Sequence, residues 1–295
     1  MRPTPPSVTF ADARGSETPE LHPAEFLQIQ RLMRGRFGIE LRAGKEQLVQ
    51  ARLGKVLRQR KLATFGQLYR DAVGDKTGEA LIALADALTT NHTSFFREPA
   101  HFAFLRRWFR QEAPPEGPIR IWCAACSTGE EPYTAATCAI EELGPDVARW
   151  RVQILASDLS TRVLRIAKRG VYDAARVQSL PLQWKRRHLL EGSGRYAGSY
   201  QFKPEVRSLI QFSRINLTEP LPRFDGFSII FCRNVLIYFE AQTQERVVSQ
   251  LSGCLAPLGY LLVGHAEGLL AHNHPLEHVS PAVYRKREHT ERGSP

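Results

Sequence analysis

The stretch Ile119-Arg-Ile-Trp-Cys-Ala-Ala-Cys-Ser-Thr-Gly-Glu-Glu-Pro-Tyr133 combines an apolar strand, a turn of small residues and the acidic beginning of a helix. α/β proteins build nucleotide pockets in this way, because small residues let the backbone pass close to a ligand. Dinucleotide folds present bare backbone N–H groups to phosphate at this place, whereas this chain has carboxylates. The pattern therefore predicts a nucleotide-type pocket for a ligand that lacks phosphate.

Strands and helices alternate from residue 119 onward, which predicts an α/β fold with a mainly parallel, Rossmann-like sheet covered on both faces. Strands are predicted at 119–124, 152–157, 209–215, 227–232, 259–264 and near 282–285, with helices at about 131–143 and 161–168. Glycines interrupt short segments between about residues 184 and 212. This interval is predicted to be a small antiparallel β-subdomain inserted into the sheet.

The chain before the sheet shows helical periodicity. Apolar residues recur at spacings of three and four from Phe26 to Leu88, which predicts an all-helical N-terminal domain. We therefore expect a disordered tail at 1–20, a helical domain at 21–90 and a linker carrying functional residues at 91–115. The α/β domain would then span 116–287, with a second tail at 288–295.

The composition limits the classes of protein and partner. The net charge of +10 suggests an acidic partner, which could be nucleic acid, an anionic membrane surface or a carboxylate-rich protein. No apolar run is long enough to span a bilayer and the N-terminus does not resemble a signal peptide. Five cysteines fit a reducing compartment. We expect a soluble, cytoplasmic protein without membrane insertion, and the Cys123–Cys126 spacing is better explained by packing than by a metal.

Polar residues follow four predicted strands, where ligands bind in doubly wound sheets. They are Ser127 to Glu131, Asp158, Asn216 and the pair Arg233-Asn234. Asp158 could accept both ribose hydroxyls of an adenosyl group, and S-adenosylmethionine is the candidate ligand. The alternatives are a helix cap for Asp158, a helix-dipole role for Glu130 and Glu131, and strand-ending turns for the two asparagines.

The segment Asn91-His-Thr-Ser-Phe-Phe-Arg97 connects the helical domain to the sheet. Arg97 follows two aromatic residues next to the expected cleft between domains, and it could clamp a carboxylate through two hydrogen bonds. A packed joint between domains is the alternative explanation.

Together these motifs resemble the chemotaxis protein methyltransferases over nearly the whole chain, from about Pro23 to Lys286. The resemblance rests on five segments in the same order, which are 91–97, 124–133, 156–158, 231–239 and Val263-Gly-His-Ala-Glu267. It implies a helical N-terminal domain, a Rossmann-like methyltransferase domain and an antiparallel insertion. Leu258 and Gly268 depart from the family pattern, but both positions lie away from the main cofactor positions.

The resemblance also implies a reaction, in which the methyl group of S-adenosylmethionine passes to glutamate side chains of chemoreceptors, leaving S-adenosylhomocysteine. No metal is expected. The cofactor contacts that it implies are Asn91, Thr93, Arg97, Glu131, Asp158, Asn216, Leu217, Arg233 and Asn234. Arg97 and Tyr238 are implied to lie closest to the transferred methyl group and are the expected catalytic residues.

The partner implied by the resemblance is a glutamate-rich cytoplasmic helix of a chemoreceptor. Arg52, Lys55 and Arg58 lie in a basic predicted helix and are expected to bind it, although an ordinary solvated helix face would look the same. A receptor C-terminal peptide could bind the β-subdomain, and a monomer is expected. The rivals are a nucleic-acid or small-molecule methyltransferase and an inactive cofactor-binding regulator. We expect no nucleic-acid partner because the sequence lacks a base-methylation loop and an RNA-binding module.

Overall fold

A computed structural model describes residues 19–114, 116–144, 150–224, 226–269 and 274–287. The tail predicted at 288–295, and residues 1–18 of the tail predicted at 1–20, lie outside the described residues. Within the described residues, no helix is long and apolar enough to cross a membrane.

Four helices form the N-terminal part of the molecule. They are α1 (Pro23–Phe37), α2 (Glu46–Arg60), α3 (Phe65–Gly74) and α4 (Glu79–Leu88). Their apolar faces share a core of their own that includes the fully buried Ile29, Met33, Leu53, Phe65 and Leu68. The helical periodicity of the sequence is therefore explained by burial of one face of each helix.

The segment 91–115, predicted as a linker, contains a well-packed helix, α5 (Pro99–Gln111). Phe102, Leu105 and Trp108 of α5 are buried in the core beneath the large sheet. This part of the chain is thus a connection only up to residue 98. The sequence analysis predicts no helix here, since it treats 91–115 as a linker between the two domains.

The large sheet has seven strands in the order β6-β2-β1-β7-β8-β10-β9. The strands are β1 (Arg120–Ala124), β2 (Gln153–Asp158), β6 (Ile210–Arg214), β7 (Phe227–Cys232), β8 (Leu255–Val263), β9 (Leu276–Ser280) and β10 (Val283–Lys286). β6, β2, β1, β7 and β8 are parallel, and β10 pairs antiparallel with β8 and β9. The predicted α/β fold is confirmed, whereas β9 was not predicted.

Helices cover both faces of this sheet. Alternate residues of β1 enter different cores: Ile121 and Cys123 pack with α5 and α6 (Glu130–Leu143), and Trp122 packs with α10 (Ala241–Cys254). Because successive side chains of a strand point to opposite faces, an apolar strand of this kind must be buried on both sides. α7 (Thr161–Arg169) follows β2, and α10 was absent from the sequence predictions.

The inserted subdomain is a three-stranded antiparallel sheet in the order β3-β5-β4. Its strands are β3 (Val171–Asp173), β4 (Leu189–Glu191) and β5 (Ser199–Phe202), accompanied by the short helices α8 (Leu182–His188) and α9 (Pro204–Arg207). The subdomain therefore begins at β3, before the predicted interval of 184–212. The prediction missed β3 because a strand of this length is too short to give a periodic signal. Residues 210–212 of that interval belong to β6 of the large sheet.

Candidate functional site

One cavity lies between the helical domain and the carboxyl ends of β1, β2, β6 and β7. It contains about 950 Å³ of empty space, open solvent at its mouth included. Every predicted cofactor residue lines it, together with Tyr238: Asn91, Thr93, Arg97, Glu131, Asp158, Asn216, Leu217, Arg233 and Asn234. The structure thus brings together residues that are up to about half the chain apart in sequence.

The turn after β1 forms one wall of the cavity. Ala125, Ser127 and Gly129 have positive φ values of 67°, 49° and 97°, a conformation that is strained for residues with a side chain. At Gly129 a Cβ atom would lie only 2.8 Å from the Ala167 Cβ atom, so a glycine is required there. The Ser127 hydroxyl donates to the Asn91 carbonyl oxygen at 2.9 Å, which fixes the bridging segment against this turn.

Asp158 ends β2 and lies at the cavity wall. Its two carboxylate oxygens accept hydrogen bonds from the backbone N–H groups of Ser127 and Ser160, each at 2.9 Å. Burial raises the pKa of the Asp158 carboxyl from 3.8 to about 6, with Asp86 adding to the rise. The alternative role as a helix cap belongs to Ser160, whose hydroxyl accepts from the N–H group of Val163.

The two adjacent glutamates point to different places. Glu131 lines the cavity and pairs with the buried Arg233 at 2.7 Å. Burial raises the pKa of the Glu131 carboxyl, and the charge of Arg233 opposes the rise. Glu130 instead accepts from Thr128 at 2.7 Å and pairs with Arg176 at 2.9 Å, outside this cavity. The structure therefore decides which of the two faces the predicted cofactor site.

Arg97 is held by its own segment and by the strand end opposite. Its guanidinium donates to the His92 carbonyl oxygen at 2.7 Å, and its backbone carbonyl accepts a short hydrogen bond from Arg233. Arg233 also lies 3.2 Å from the Glu98 carboxylate. Arg233 therefore ties the Arg97 backbone to Glu131, across the cavity wall.

Tyr238 is engaged by the bridging segment. Its hydroxyl accepts from the Thr90 N–H group at 2.9 Å and donates to the Thr90 carbonyl oxygen at 3.1 Å. Both hydrogen-bonding functions of the hydroxyl are therefore used by backbone. The residue lines the cavity, and this contact suits a part in fixing geometry better than one in proton transfer.

The polar side chains after β6 and β7 differ in their contacts. The side-chain oxygen of Asn216 accepts from the N–H group and the hydroxyl of Thr218, which is the strand-ending turn given above as its alternative role. Its side-chain nitrogen donates to the Arg36 carbonyl oxygen at 3.1 Å. Asn234 has a φ of 58° and its amide donates to Glu98 at 3.3 Å. Leu217 is buried at the cavity wall.

The three cations expected to bind substrate are not equivalent. Lys55 and Arg58 are exposed on α2. Arg52 is half-buried and donates to the carbonyl oxygen of Leu88 and, at 3.1 Å, to the hydroxyl of Thr90. Arg52 therefore binds the end of α4 and the start of the bridging segment.

Sequence reasoning missed cavity residues from the helical domain. Phe37, Ile39 and Asp86 line the cavity from that side. Asp86 accepts from the Ser160 hydroxyl at 2.7 Å and lies 3.2 Å from Arg162, both near the start of α7. No local motif marks these residues, since only the packing of the two domains brings them to the site.

One group of metal-ligand side chains comes together among the described residues: Glu98, His101 and His265, whose ligand atoms lie within 4.8 Å of one another. Burial lowers the pKa of His101 to about 4, so its ring is neutral. The guanidinium of Arg233 beside Glu98 opposes the binding of a divalent cation there. The expectation that no metal is used stays a prediction.

Comparisons with known proteins agree with this architecture. Residues 24–89 match the family model "CheR methyltransferase, all-alpha domain". Residues 91–285 match "CheR methyltransferase, SAM binding domain", where SAM is S-adenosylmethionine. The two matches correspond to the helical domain and to the part of the chain that contains the bridging segment and the sheet.

Curated relatives match over most of their length. Chemotaxis protein methyltransferase 2 of Pseudomonas aeruginosa is 38% identical over 280 residues, covering 95% of this chain and 97% of that protein. The chemotaxis protein methyltransferase of Salmonella typhimurium is 38% identical and covers 84% of each chain. That of Borreliella burgdorferi is 34% identical, covering 89% of this chain and 94% of the relative. On this evidence the chain belongs to the family of chemotaxis protein methyltransferases.

Proposed function

We propose that this protein transfers the methyl group of S-adenosylmethionine to glutamate carboxylates of chemoreceptors, giving γ-methyl esters and S-adenosylhomocysteine. Family membership supports methyl transfer in chemotaxis adaptation. The observation that carries the proposal for this chain is the single cavity lined by all nine predicted cofactor residues and by Tyr238. Its placement at the carboxyl ends of parallel strands is the usual one for ligands in such sheets.

The residues present fit S-adenosylmethionine. Asp158 offers carboxylate oxygens to ribose hydroxyls, and the carboxylate of Glu131 lies in reach of a cationic ligand end. The buried Arg233 has an Nε–H group without a partner among the described residues, and it could serve a ligand carboxylate.

The chemistry requires no general base. Bound S-adenosylmethionine supplies a methyl group on a positively charged sulfur, and the substrate carboxylate forms the new O–C bond while the C–S electron pair stays on sulfur. A glutamate with a pKa of about 4.3 is already ionised at neutral pH. What the protein must provide is alignment, which can supply roughly 7–11 kcal/mol of a barrier.

Arg97 is proposed to orient the substrate carboxylate. Its guanidinium has donors beyond the one used by the His92 carbonyl oxygen, so two can face a carboxylate. A cation at the nucleophile also lowers its reactivity, so the benefit must come from alignment. Tyr238, clamped to Thr90, is proposed to fix the wall against which the two reactants meet.

Receptor helices are proposed to bind the basic face of α2. Lys55 and Arg58 are exposed and complement a glutamate-rich helix, and the half-buried Arg52 donates to Leu88 and Thr90. A receptor peptide could add to the three-stranded sheet, since β3 and β4 lie on either side of β5 and each leaves one edge unpaired by a described strand. We further propose a metal-free monomer that acts in the cytoplasm.

The test is incubation with S-adenosylmethionine labelled on its methyl group, together with either receptor fragments or nucleic acid. Base-labile label on the receptor is expected, because a carboxyl ester hydrolyses in base. Label on nucleic acid would favour the first rival function, and cofactor binding without transfer to any acceptor would favour an inactive regulator. Charge reversal of Lys55 and Arg58 tests the α2 surface in the same assay, and charge reversal at Arg165, an exposed cation on α7, is its control.

A further inference from the structure

Glu267 lies outside the cofactor cavity, yet its side chain is almost completely buried. The residue is 6% exposed in the loop after β8. It ends the Val263–Glu267 motif, to which the proposed mechanism gives no role. A buried carboxylate must have strong partners to remain in place.

Those partners are two backbone N–H groups of the loop after β7 and one of the loop after β8. Glu267 Oε2 accepts from Asn234 at 2.6 Å and from Gly264 at 2.7 Å, and Oε1 accepts from Ile237 at 3.1 Å. Burial raises the pKa of the Glu267 carboxyl, while these hydrogen bonds favour its ionised form. One carboxylate thus joins the ends of two neighbouring parallel strands.

The loop held in this way carries three of the predicted site residues: Arg233, Asn234 and Tyr238. Asn234 has a φ of 58°, in the left-handed region that asparagine adopts more readily than other residues with a side chain. Glu267 accepts from the N–H group of this same residue. A Cβ atom at Gly264 would lie 2.6 Å from Glu267 Oε2 and 2.7 Å from the side-chain nitrogen of Asn234. Gly264, Glu267 and Asn234 are therefore closely packed.

We propose that Glu267 is a positioning residue for methyl transfer. Its carboxylate fixes the loop 233–238, so that Asn234 meets the methyl donor and Tyr238 reaches Thr90. This inference rests on the proposed function, since it assigns that site a residue that touches neither reactant. Glutamine at this position keeps the shape but places an N–H₂ group against N–H donors, so at least one bond becomes a repulsive contact.

The experiment compares Glu267→Gln with the wild-type full chain in S-adenosylhomocysteine binding by calorimetry, steady-state methylation and thermal unfolding. We expect the affinity to fall at least tenfold and kcat at saturating methyl donor to fall at least tenfold, at a temperature where the variant is fully folded. Glu277→Gln removes a carboxylate of β9 that pairs with Arg285, and it is expected to stay within twofold of wild type. Wild-type affinity and kcat in folded Glu267→Gln would overturn the inference.

If Glu267→Gln does not fold, Glu267→Asp takes its place, because it keeps the charge while the shorter side chain cannot reach all three N–H groups. Three- to tenfold weaker S-adenosylhomocysteine binding is expected, and wild-type binding would again contradict the inference. Binding needs no receptor, so this readout is independent of the substrate. A wild-type enzyme that binds S-adenosylhomocysteine but methylates no receptor would instead refute the proposed function.

Discussion

The pKa of Asp158 leads to a quantitative prediction about cofactor binding. In the free protein burial raises this pKa to about 6. Ribose hydroxyls that donate to the carboxylate favour its ionised form, so binding must lower the pKa and release a proton. At pH 5 only about a tenth of the free protein carries the ionised form, and the affinity for S-adenosylhomocysteine should be about tenfold weaker than at pH 7.

The perturbation is Asp158→Asn, measured by calorimetry from pH 5 to pH 8 in buffers of different ionisation enthalpy. Asparagine keeps one acceptor oxygen, so one charged hydrogen bond worth about 1.5–3 kcal/mol is lost, and the variant should bind about 10- to 150-fold more weakly at pH 7. Its affinity should also lose the step near pH 6 and the associated proton release. Asp71→Asn is the matched control, because Asp71 pairs with Arg60 on the helical domain and does not line the cavity.

Two results would refute this reasoning. One is equal wild-type affinity at pH 5 and pH 7, and the other is an unchanged affinity of Asp158→Asn at pH 7.

The pH dependence of the free energy of unfolding gives an independent check on the direction of the pKa shift of Asp158. Because the folded pKa of Asp158 lies above its usual 3.8, the folded state holds the proton more tightly. This contribution favours folding at low pH and is lost as the pH rises from about 4 through 6, so unfolding of Asp158→Asn should lack that component.

Three further predictions concern other parts of the site. Arg97→Ala should lower kcat about 100-fold through lost alignment, and wild-type receptor methylation by this variant would exclude the assigned role. Charge reversal of Lys55 and Arg58 should raise KM for the receptor and remove its salt dependence, whereas salt-dependent kinetics that stay as in wild type would show that these cations do not steer the substrate. Gly264→Ala should lower the free energy of unfolding by about 1–3 kcal/mol, because the new Cβ atom meets Glu267, and an unchanged thermal midpoint would show that this contact relaxes easily.

Local patterns in the sequence were sufficient for most of the fold. Continuous apolar runs such as 227–232 matched their strand without error, since a strand buried on both faces leaves a strong signal. β3 and β9 are short or only partly buried, and they left no such signal. Helix α5 was missed because its aromatic residues face the sheet, and their role depends on a partner that is distant in sequence.

The candidate site was predictable wherever a strand end or the segment 91–97 carried a motif. Asp158, Asn234 and Arg97 were named from sequence, and the structure places all three at one cavity. Asp86 was missed because it belongs to an ordinary helix of the other domain. The role of Arg52 was also incompletely predicted, since charge alone cannot show that its guanidinium binds the end of α4.

The sequence by itself determined the helical N-terminal domain, the parallel core strands, the strand-end motifs and the family, because each leaves a signal in residues close together in the chain. Only the tertiary structure decided that Glu131 rather than Glu130 faces the cavity, that Tyr238 is clamped to Thr90 and that Glu267 holds the neighbouring loop. The physical reason is that these are hydrogen bonds between segments far apart in sequence. Their geometry is set by the packing of the two domains and of adjacent strands, which no local pattern records.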